Sequence, residues 1–134
     1  TMLELHRRGH AIALVADGLI ESFHNILGQN ELLPIFSAEV ISETYGVNKP
    51  DAVMFAEAFR KLGLTDADKH RVIMVGNNIS RDIVGANRFG IISVLLTWSP
   101  RYCMEPQNAE ETPDYCVAVP EELLMLVEKL ENTL

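Results

Sequence analysis

Apolar and polar residues along this chain form alternating blocks of two kinds. Short continuous apolar runs, several of them rich in β-branched residues, are typical of parallel strands that are buried on both faces. Between these runs the apolar residues recur at helical spacing, as Phe55, Phe59 and Leu62 do. The pattern predicts an order of β-α-β-α-β-α-β-β-α after an initial helical end, and such alternation is typical of a parallel sheet.

Glycine, proline and short polar residues set the predicted boundaries of these elements. Pro34 lies within the second apolar run, so the strand predicted there is short and near a sheet edge. Strands are predicted at residues 11–15, 32–36, 72–75, 91–96 and 115–119. Helices are predicted at residues 2–8, at 19–27 with Gly28 as the stop, from Asn48-Lys49-Pro50-Asp51 to Gly63, at 80–89, and from Pro120 onward, with a loop at 99–113.

Length and composition restrict the class of protein. A chain of 134 residues with 48% hydrophobic residues can bury a core as one domain, predicted to span residues 1–134. The net charge of −8 argues against a nonspecific nucleic-acid surface, and no apolar run approaches the roughly 20 residues of a membrane span. Cys103 and Cys116 lack metal-ligand spacing, which favours free thiols in a reducing compartment and a cytoplasmic location.

The stretch from Val72 to Asp82 contains the main candidate chemistry. An apolar strand leads into Gly76-Asn77-Asn78, and a helical pattern follows Asp82. Ligands of open α/β sheets bind at the carboxyl ends of such strands, which places these polar groups at a potential site. The alternative is that Asn and Asp here only satisfy the free N–H groups of the first helical turn.

Polar groups lie at two other element boundaries. Ala16-Asp17-Gly18 follows the first strand, and Lys49-Pro50 comes just before a helix. With these groups the chain resembles the haloacid dehalogenase-like (HAD) hydrolases over nearly all of its length. The resemblance rests on the strand ending in Ala16-Asp17-Gly18 (motif II), on Gly46-Val-Asn-Lys49-Pro50-Asp51 (motif III) and on Val75-Gly-Asn-Asn-Ile-Ser-Arg-Asp82-Ile-Val-Gly-Ala86 (motif IV). Each motif alone is weak, but their order and spacing together are specific.

The resemblance implies a three-layer Rossmann-like parallel sheet with helices on both faces. It also implies a mechanism in which an aspartate of an upstream Asp-x-Asp motif attacks a phosphoryl group and forms an aspartyl-phosphate. The second aspartate of that motif serves as acid and base. A motif III lysine neutralises charge, and motif IV carboxylates hold Mg²⁺.

Two residues match the family's catalytic positions. Lys49 matches the motif III lysine, which is also expected to contact phosphate; the alternative is a solvated surface lysine. Asp82 matches the downstream acid of motif IV, which positions the metal or its waters. The alternative for Asp82 is a helix-surface acid paired with Arg81 or Arg88, and the sequence favours neither reading.

Three positions depart from the family pattern. Ala16 stands where the family has Ser or Thr, so a phosphate here would depend on backbone N–H groups of Asp17 and Gly18. Asp17 stands where Asn is frequent, and helix N-capping is its favoured role. Asn77 stands where the metal-binding Asp usually is. Its amide oxygen can ligate Mg²⁺ but brings no charge. A metal site formed by Asn77 and Asp82 is therefore expected to bind Mg²⁺ weakly.

The chain has no Asp-x-Asp after an apolar strand, since Asp66-Ala-Asp68 lies in a polar segment. In the family the strand with the nucleophile lies at the centre of the sheet, between the strands at 11–15 and 72–75. Its absence predicts that this chain is the C-terminal part of a HAD core. About 30 residues separate motifs II and III, too few for a cap domain, so any cap would lie upstream.

Two classes of function remain open. One is a Mg²⁺-dependent phosphatase of small phosphorylated metabolites whose nucleophile lies upstream, with this chain inactive alone; Lys49 and Asp82 favour it. The other is a noncatalytic HAD-like scaffold that binds a partner or ligand; Ala16 and Asn77 favour that. The expected partners are a small phosphorylated substrate and either a second copy or a missing N-terminal segment that completes the sheet, with no nucleic acid and no membrane.

Overall fold

The computed structural model describes residues 1–98 and 101–134, so the first two residues of the predicted loop at 99–113 lie outside the described residues. All of its strand pairs are parallel, and they form two sheets with the orders β1-β2 and β3-β4-β5. The strands are β1 Ile12–Ala16, β2 Phe36–Ile41, β3 Ile73–Gly76, β4 Ile92–Leu96 and β5 Tyr115–Val117. The α-helices are α1 Met2–Arg7, α2 Ile20–Gln29, α3 Ser42–Tyr45, α4 Ala52–Leu62, α5 Val84–Phe89 and α6 Glu122–Glu131.

The chain divides into two compact units, one of residues 2–64 and one of residues 65–134 together with Thr1. The first unit holds β1 and β2, and the second holds the other three strands. The parallel strands with intervening helices confirm the predicted α/β class. The prediction that residues 1–134 are one HAD-like core domain stays a prediction.

In the unit of residues 2–64, the two parallel strands are covered by the apolar face of α4. Phe55 and Phe59 of that helix are buried, and Leu62 is half-buried, as the helical spacing predicted. The Asp51 side chain caps the helix by accepting a hydrogen bond from the Val53 N–H at 2.9 Å, and Gly63 ends it. The Pro-Asp helix start read from the sequence is therefore confirmed, and it fixes the position of the preceding Lys49.

The second strand begins four residues later than predicted. Residues 33–35, which include Pro34, form a 3₁₀ turn because the fixed φ of proline suits the start of a helical turn. The chain then extends from Phe36 to Ile41, where Ala38 and Val40 are buried. The predicted strand at 32–36 was therefore wrong, and the carboxyl end of β2 brings Ser42 to the sheet edge.

The predicted stop of α2 at Gly28 was also wrong, because the helix continues to Gln29. Asn30 ends it instead: its side-chain amide donates to the Ile26 carbonyl at 2.8 Å, and its backbone N–H also bonds back to the last turn. An asparagine just past a helix satisfies the carbonyls that lack intrahelical partners. Gly28 thus lies within the helix.

In the unit of residues 65–134, the central strand β4 packs on both faces. Val94 is fully buried with Val117 and with Leu123 of α6. The next residue, Leu95, points to the opposite face and packs with Ile79 and Ile83. Helical elements therefore cover both faces of this sheet, as the sequence predicted.

A buried polar network fixes the segment before β5. Ser93 is fully buried in β4; its hydroxyl donates to the Asn87 side chain at 2.8 Å, and its backbone N–H donates to Asp114 at 2.9 Å. The Asn87 amide in turn donates to the carbonyls of Glu110 and Thr112. These bonds hold the chain from 110 to 114 against α5 and β4.

We expect acid to weaken the ion pair on α4. The Arg60 guanidinium donates to the Glu57 carboxylate and holds the pKa of Glu57 at about 2, below its ordinary value of 4.5. Because the folded-state pKa lies below the unfolded one, the contribution to stability is complete above pH 4.5 and is lost as the pH falls toward 2. An NMR titration of the Glu57 carboxyl should show its pKa rising toward 4.5 in Arg60→Gln.

A matched control for this pair is Arg71→Gln, which removes the partner of Asp68 and should leave the pKa of Glu57 where it is. If the Glu57 pKa stays near 2 without Arg60, the pair is not the cause of the shift.

Candidate functional site

The first cluster of predicted site residues lies where β1 ends. Ala16 is the last residue of the strand and is buried opposite Ile41 of β2. Gly18 follows with a φ of +147°, a conformation that side-chain-bearing residues rarely adopt. A Cβ at Gly18 would also lie 2.8 Å from the Phe23 ring, so the turn has no room for a larger residue.

Lys49 is bonded to this turn in two ways. Its ammonium Nζ donates to the Val15 carbonyl at 2.8 Å, and its backbone N–H donates to the Asp17 carboxylate at 2.9 Å. The residue is only 9% exposed. The alternative of a solvated surface lysine is therefore wrong, and the structure brings Lys49 together with the Ala16-Asp17-Gly18 turn.

The favoured N-cap role of Asp17 was wrong. The N-cap of α2 is Leu19, and no side chain caps the helix there. The Asp17 carboxylate instead accepts the bond from Lys49, because the turn at Gly18 directs it toward residues 48–50 rather than toward the helix. An amide oxygen could accept the same bond, so Asp and Asn can serve equally at this position.

Ser42 belongs to this cluster, and the sequence analysis missed it. It follows β2 directly, is 7% exposed, and its hydroxyl oxygen accepts the Gly18 N–H bond at 2.8 Å. The N–H that Gly18 was expected to offer to phosphate is thus already engaged within the chain. The signal was present: a strand placed at Phe36–Ile41 puts Ser42 at the same sheet edge as Asp17.

The second cluster lies after β3, in the other unit. Asn77 directly follows the strand and is half-buried. Residues 79–83, predicted as the start of an α-helix, form a single π-helical turn before α5. Such turns widen the backbone and are frequent at functional sites. The turn carries Asp82 back toward the end of β3.

Asp82 is 6% exposed, so the alternative of a helix-surface acid is wrong. Its carboxylate oxygen Oδ2 accepts the Asn78 backbone N–H at 3.2 Å. The carboxylate lies so close to the strand that a Cβ at Gly76 would come within 2.1 Å of Oδ2. A glycine at position 76 is therefore required for this placement of the acid.

An open cavity of about 330 Å³ adjoins this second cluster, and the sequence did not indicate it. Its walls combine residues of the π-helical turn with residues that follow β4. The lining residues are Asn78, Ile79, Ser80, Arg81, Tyr102, Cys103, Glu105 and Glu111. Trp98, which follows β4, is 61% exposed.

The donor set for a metal can be judged from the second cluster. Asp82 offers a buried carboxylate and Asn77 a neutral amide oxygen, both of which are oxygen ligands that suit Mg²⁺. Within the described residues, no group of three or more His, Cys, Asp or Glu side chains is placed to hold a metal ion. The residues fit a weak Mg²⁺ site rather than a strong one.

Each cluster lies within one compact unit. The prediction that Asp17, Lys49, Asn77 and Asp82 face a single cleft stays a prediction. Cys103 and Cys116 are free and exposed, as predicted. Among residues 1–98 and 101–134, the helices are all too short or too polar to cross a membrane.

The part of the chain that contains the three motifs matches a known protein family. Residues 1–96 match the family described as haloacid dehalogenase-like hydrolase. The chain is 34% identical over 130 residues to a glyceraldehyde 3-phosphate phosphatase of Methanopyrus kandleri, covering 97% of this chain and 54% of that protein. It is 32% identical over 113 residues to a phosphoserine phosphatase of Thermus thermophilus, covering 84% and 43%.

Solved structures agree on the fold. The HAD-hydrolase YfnB of Bacillus subtilis, a structure bound to magnesium, has a TM-score of 0.79 at 20% identity and covers 95% of this chain and 52% of its own. A HAD phosphatase from Thermococcus onnurineus also gives 0.79, at 21% identity and with coverages of 94% and 54%. This chain spans about half the length of the curated relatives it matches. It belongs to the haloacid dehalogenase-like hydrolase family.

Proposed function

We propose that this chain supplies the phosphate- and metal-binding half of a Mg²⁺-dependent phosphatase that acts on small phosphorylated metabolites. The observation that carries the proposal is the buried Lys49, whose ammonium lies at the carboxyl end of β1. A positive charge held at the carboxyl end of a strand attracts an anionic ligand, and a phosphoryl group is such a ligand. The names of the relatives as phosphatases of small metabolites support the same substrate class.

The residues divide into three roles under this proposal. Lys49 binds the phosphoryl group and neutralises its charge, and the Ala16-Asp17-Gly18 turn forms the wall of that site. Asp82 and Asn77 hold Mg²⁺, which shields the charge of the transferring group when it is bound. Ala16 contributes no hydroxyl, so the lysine carries more of the binding than in relatives with Ser or Thr there.

The nucleophile is absent from these 134 residues. The Asp17 carboxylate accepts a hydrogen bond from the Lys49 N–H and the Asp82 carboxylate one from the Asn78 N–H, which supports the proposal that neither is the attacking group. We propose that an Asp-x-Asp strand from an upstream segment, or from a second copy, completes the sheet and supplies it. The parallel sheets are consistent with such an addition, because β1 pairs only with β2 and β3 only with β4 among the described residues.

A noncatalytic scaffold that binds a partner or ligand is the second candidate function. Ala16 and Asn77 favour it, because each removes a group that the family uses for phosphate or metal. An Asp-x-Asp-x-Thr upstream would decide for the enzyme. Under either function we propose a cytoplasmic location, with the two exposed thiols kept reduced.

We expect weak Mg²⁺ binding by the 134-residue chain. One carboxylate and one amide give less charge than the carboxylate sets that bind divalent cations tightly, so the dissociation constant should be about millimolar, as in low-affinity oxygen sites. Calorimetric titration with MgCl₂ measures it, and Asp82→Asn should abolish the heat. Micromolar binding would show that a further Mg²⁺ ligand is present. Asp17 is the first candidate, and Asp17→Asn would test it.

The proposed substrate class can be tested with a longer product that carries an upstream Asp-x-Asp. Release of inorganic phosphate from glyceraldehyde 3-phosphate, phosphoserine, phosphoglycolate and a pyrimidine mononucleotide should reveal activity on at least one small ester. A longer product inactive on the whole panel, with its aspartates intact, would favour the scaffold.

A further inference from the structure

Ser42 fixes the turn that follows β1, and the sequence motifs give it no role. Its hydroxyl oxygen accepts the Gly18 N–H at 2.8 Å and donates to the Gly18 carbonyl at 3.4 Å. The Glu43 N–H donates to the same carbonyl at 3.3 Å. The residues that follow β2 thus hold both polar backbone groups of Gly18.

Gly18 needs such an external restraint. Its φ of +147° is accessible only to glycine in practice, and glycine loses more conformational freedom on folding than any other residue. The side chain at position 16 is alanine, so the first residue of the motif offers no hydroxyl to order the turn. A buried serine that directly follows the neighbouring strand supplies a hydroxyl at the same turn.

Lys49 is hydrogen-bonded to the same turn. Asp17 lies between Ala16 and Gly18, and its carboxylate accepts the Lys49 backbone N–H at 2.9 Å. The Lys49 ammonium bonds to the carbonyl of Val15 at 2.8 Å. The segment from 15 to 18 is thus bonded to Lys49 near one end and to Ser42 at the other.

We propose that Ser42 is a positioning residue for phosphate binding: by holding the Gly18 peptide, it orients the Asp17 carboxylate and hence Lys49. The inference rests on the proposed function, since it assumes that Lys49 binds a phosphoryl group. Ser42 itself does not contact the phosphate, because its hydroxyl is directed to Gly18. Loss of the hydroxyl leaves the glycine turn without its restraint and the lysine with less defined geometry.

The test is a titration of the ¹⁵N-labelled 134-residue chain with inorganic phosphate, followed through the amide resonances of residues 15–18 and 49. In Ser42→Ala, the Gly18 amide should shift upfield and exchange faster with solvent. Its phosphate dissociation constant should rise about 3- to 10-fold, the effect of one lost hydrogen bond. Ser42→Thr, which keeps the hydroxyl, should restore both. Ser37→Ala removes an exposed serine of β2 and should change neither.

If the alanine variant does not fold, Ser42→Cys replaces it in the test. A thiol has nearly the size of the hydroxyl but accepts hydrogen bonds more weakly, so the phosphate affinity of this variant should be intermediate. Unchanged or tighter phosphate binding in Ser42→Ala, with the Gly18 amide shifted, would show a purely structural role and overturn the inference alone. No phosphate response in the wild type, or an equal response in Lys49→Ala, would overturn the proposed phosphate site and the inference with it.

Discussion

Lys49→Ala should lower phosphatase turnover by about 10²- to 10³-fold in a longer product that carries an upstream Asp-x-Asp, the range for loss of one preorganised electrostatic group. The lysine is nearly buried, and its ammonium is fixed by the bond to the Val15 carbonyl. Charge that is held in place away from bulk water stabilises a developing anion more than a solvated charge does. Steady-state kinetics with p-nitrophenyl phosphate measure the effect, which should fall mainly on kcat.

Lys61→Ala is a matched control for this substitution. The Lys61 ammonium also donates to a backbone carbonyl at 2.8 Å, that of Glu39, but the residue is exposed on α4. We expect its removal to leave turnover within about twofold, as for most surface charges. A loss in Lys49→Ala no larger than in Lys61→Ala would mean that the buried lysine is structural.

Gly76→Ala should destabilise the chain by about 1–3 kcal/mol, the usual cost of overpacking. The added Cβ would lie 2.1 Å from the Asp82 Oδ2 and 2.5 Å from its Cβ, so the carboxylate or the strand must move. The displaced acid loses its bond from the Asn78 N–H and the position in which we propose that it holds Mg²⁺. Urea unfolding measures the stability, and calorimetry should show no Mg²⁺ heat.

Gly28→Ala is the control for a glycine replaced without a clash. Gly28 lies inside α2, and its added Cβ would be 3.6 Å from the Leu33 side chain, an ordinary contact. Alanine in a helix interior should stabilise the chain by about 0.5–1 kcal/mol. If the two variants are equally stable, the Asp82 carboxylate does not lie against Gly76.

The order and type of most elements could be predicted from the sequence, because buried parallel strands and amphipathic helices leave separate patterns. The position of the strand that follows Pro34 could not be predicted. The apolar run at 32–36 looks like a strand, and only the pairing of Phe36–Ile41 with β1 shows where extension begins. The π-helical turn at 79–83 was also not predicted, because its residues have the same helical periodicity as α5.

The sequence identified candidate residues where a motif fixed their type, but it did not indicate contacts that depend on the fold. Lys49 and Asp82 are buried, which excludes the surface alternatives that the sequence left open for them. Asp17 was assigned to the helix that follows it, because sequence neighbours are visible and the contact with Lys49, 32 residues away, is not. Ser42 was missed for the same reason, since its role depends on the parallel register of β1 and β2.

The central claim is that this chain holds the phosphate-binding and metal-binding groups of a phosphatase but not its nucleophile. The most direct test is Mg²⁺-dependent turnover of p-nitrophenyl phosphate by the 134-residue chain, assayed beside a longer product with an upstream Asp-x-Asp. We expect no turnover above background from the short chain and clear turnover from the longer one. Robust Mg²⁺-dependent turnover by the short chain, abolished by Asp17→Asn, would contradict the account.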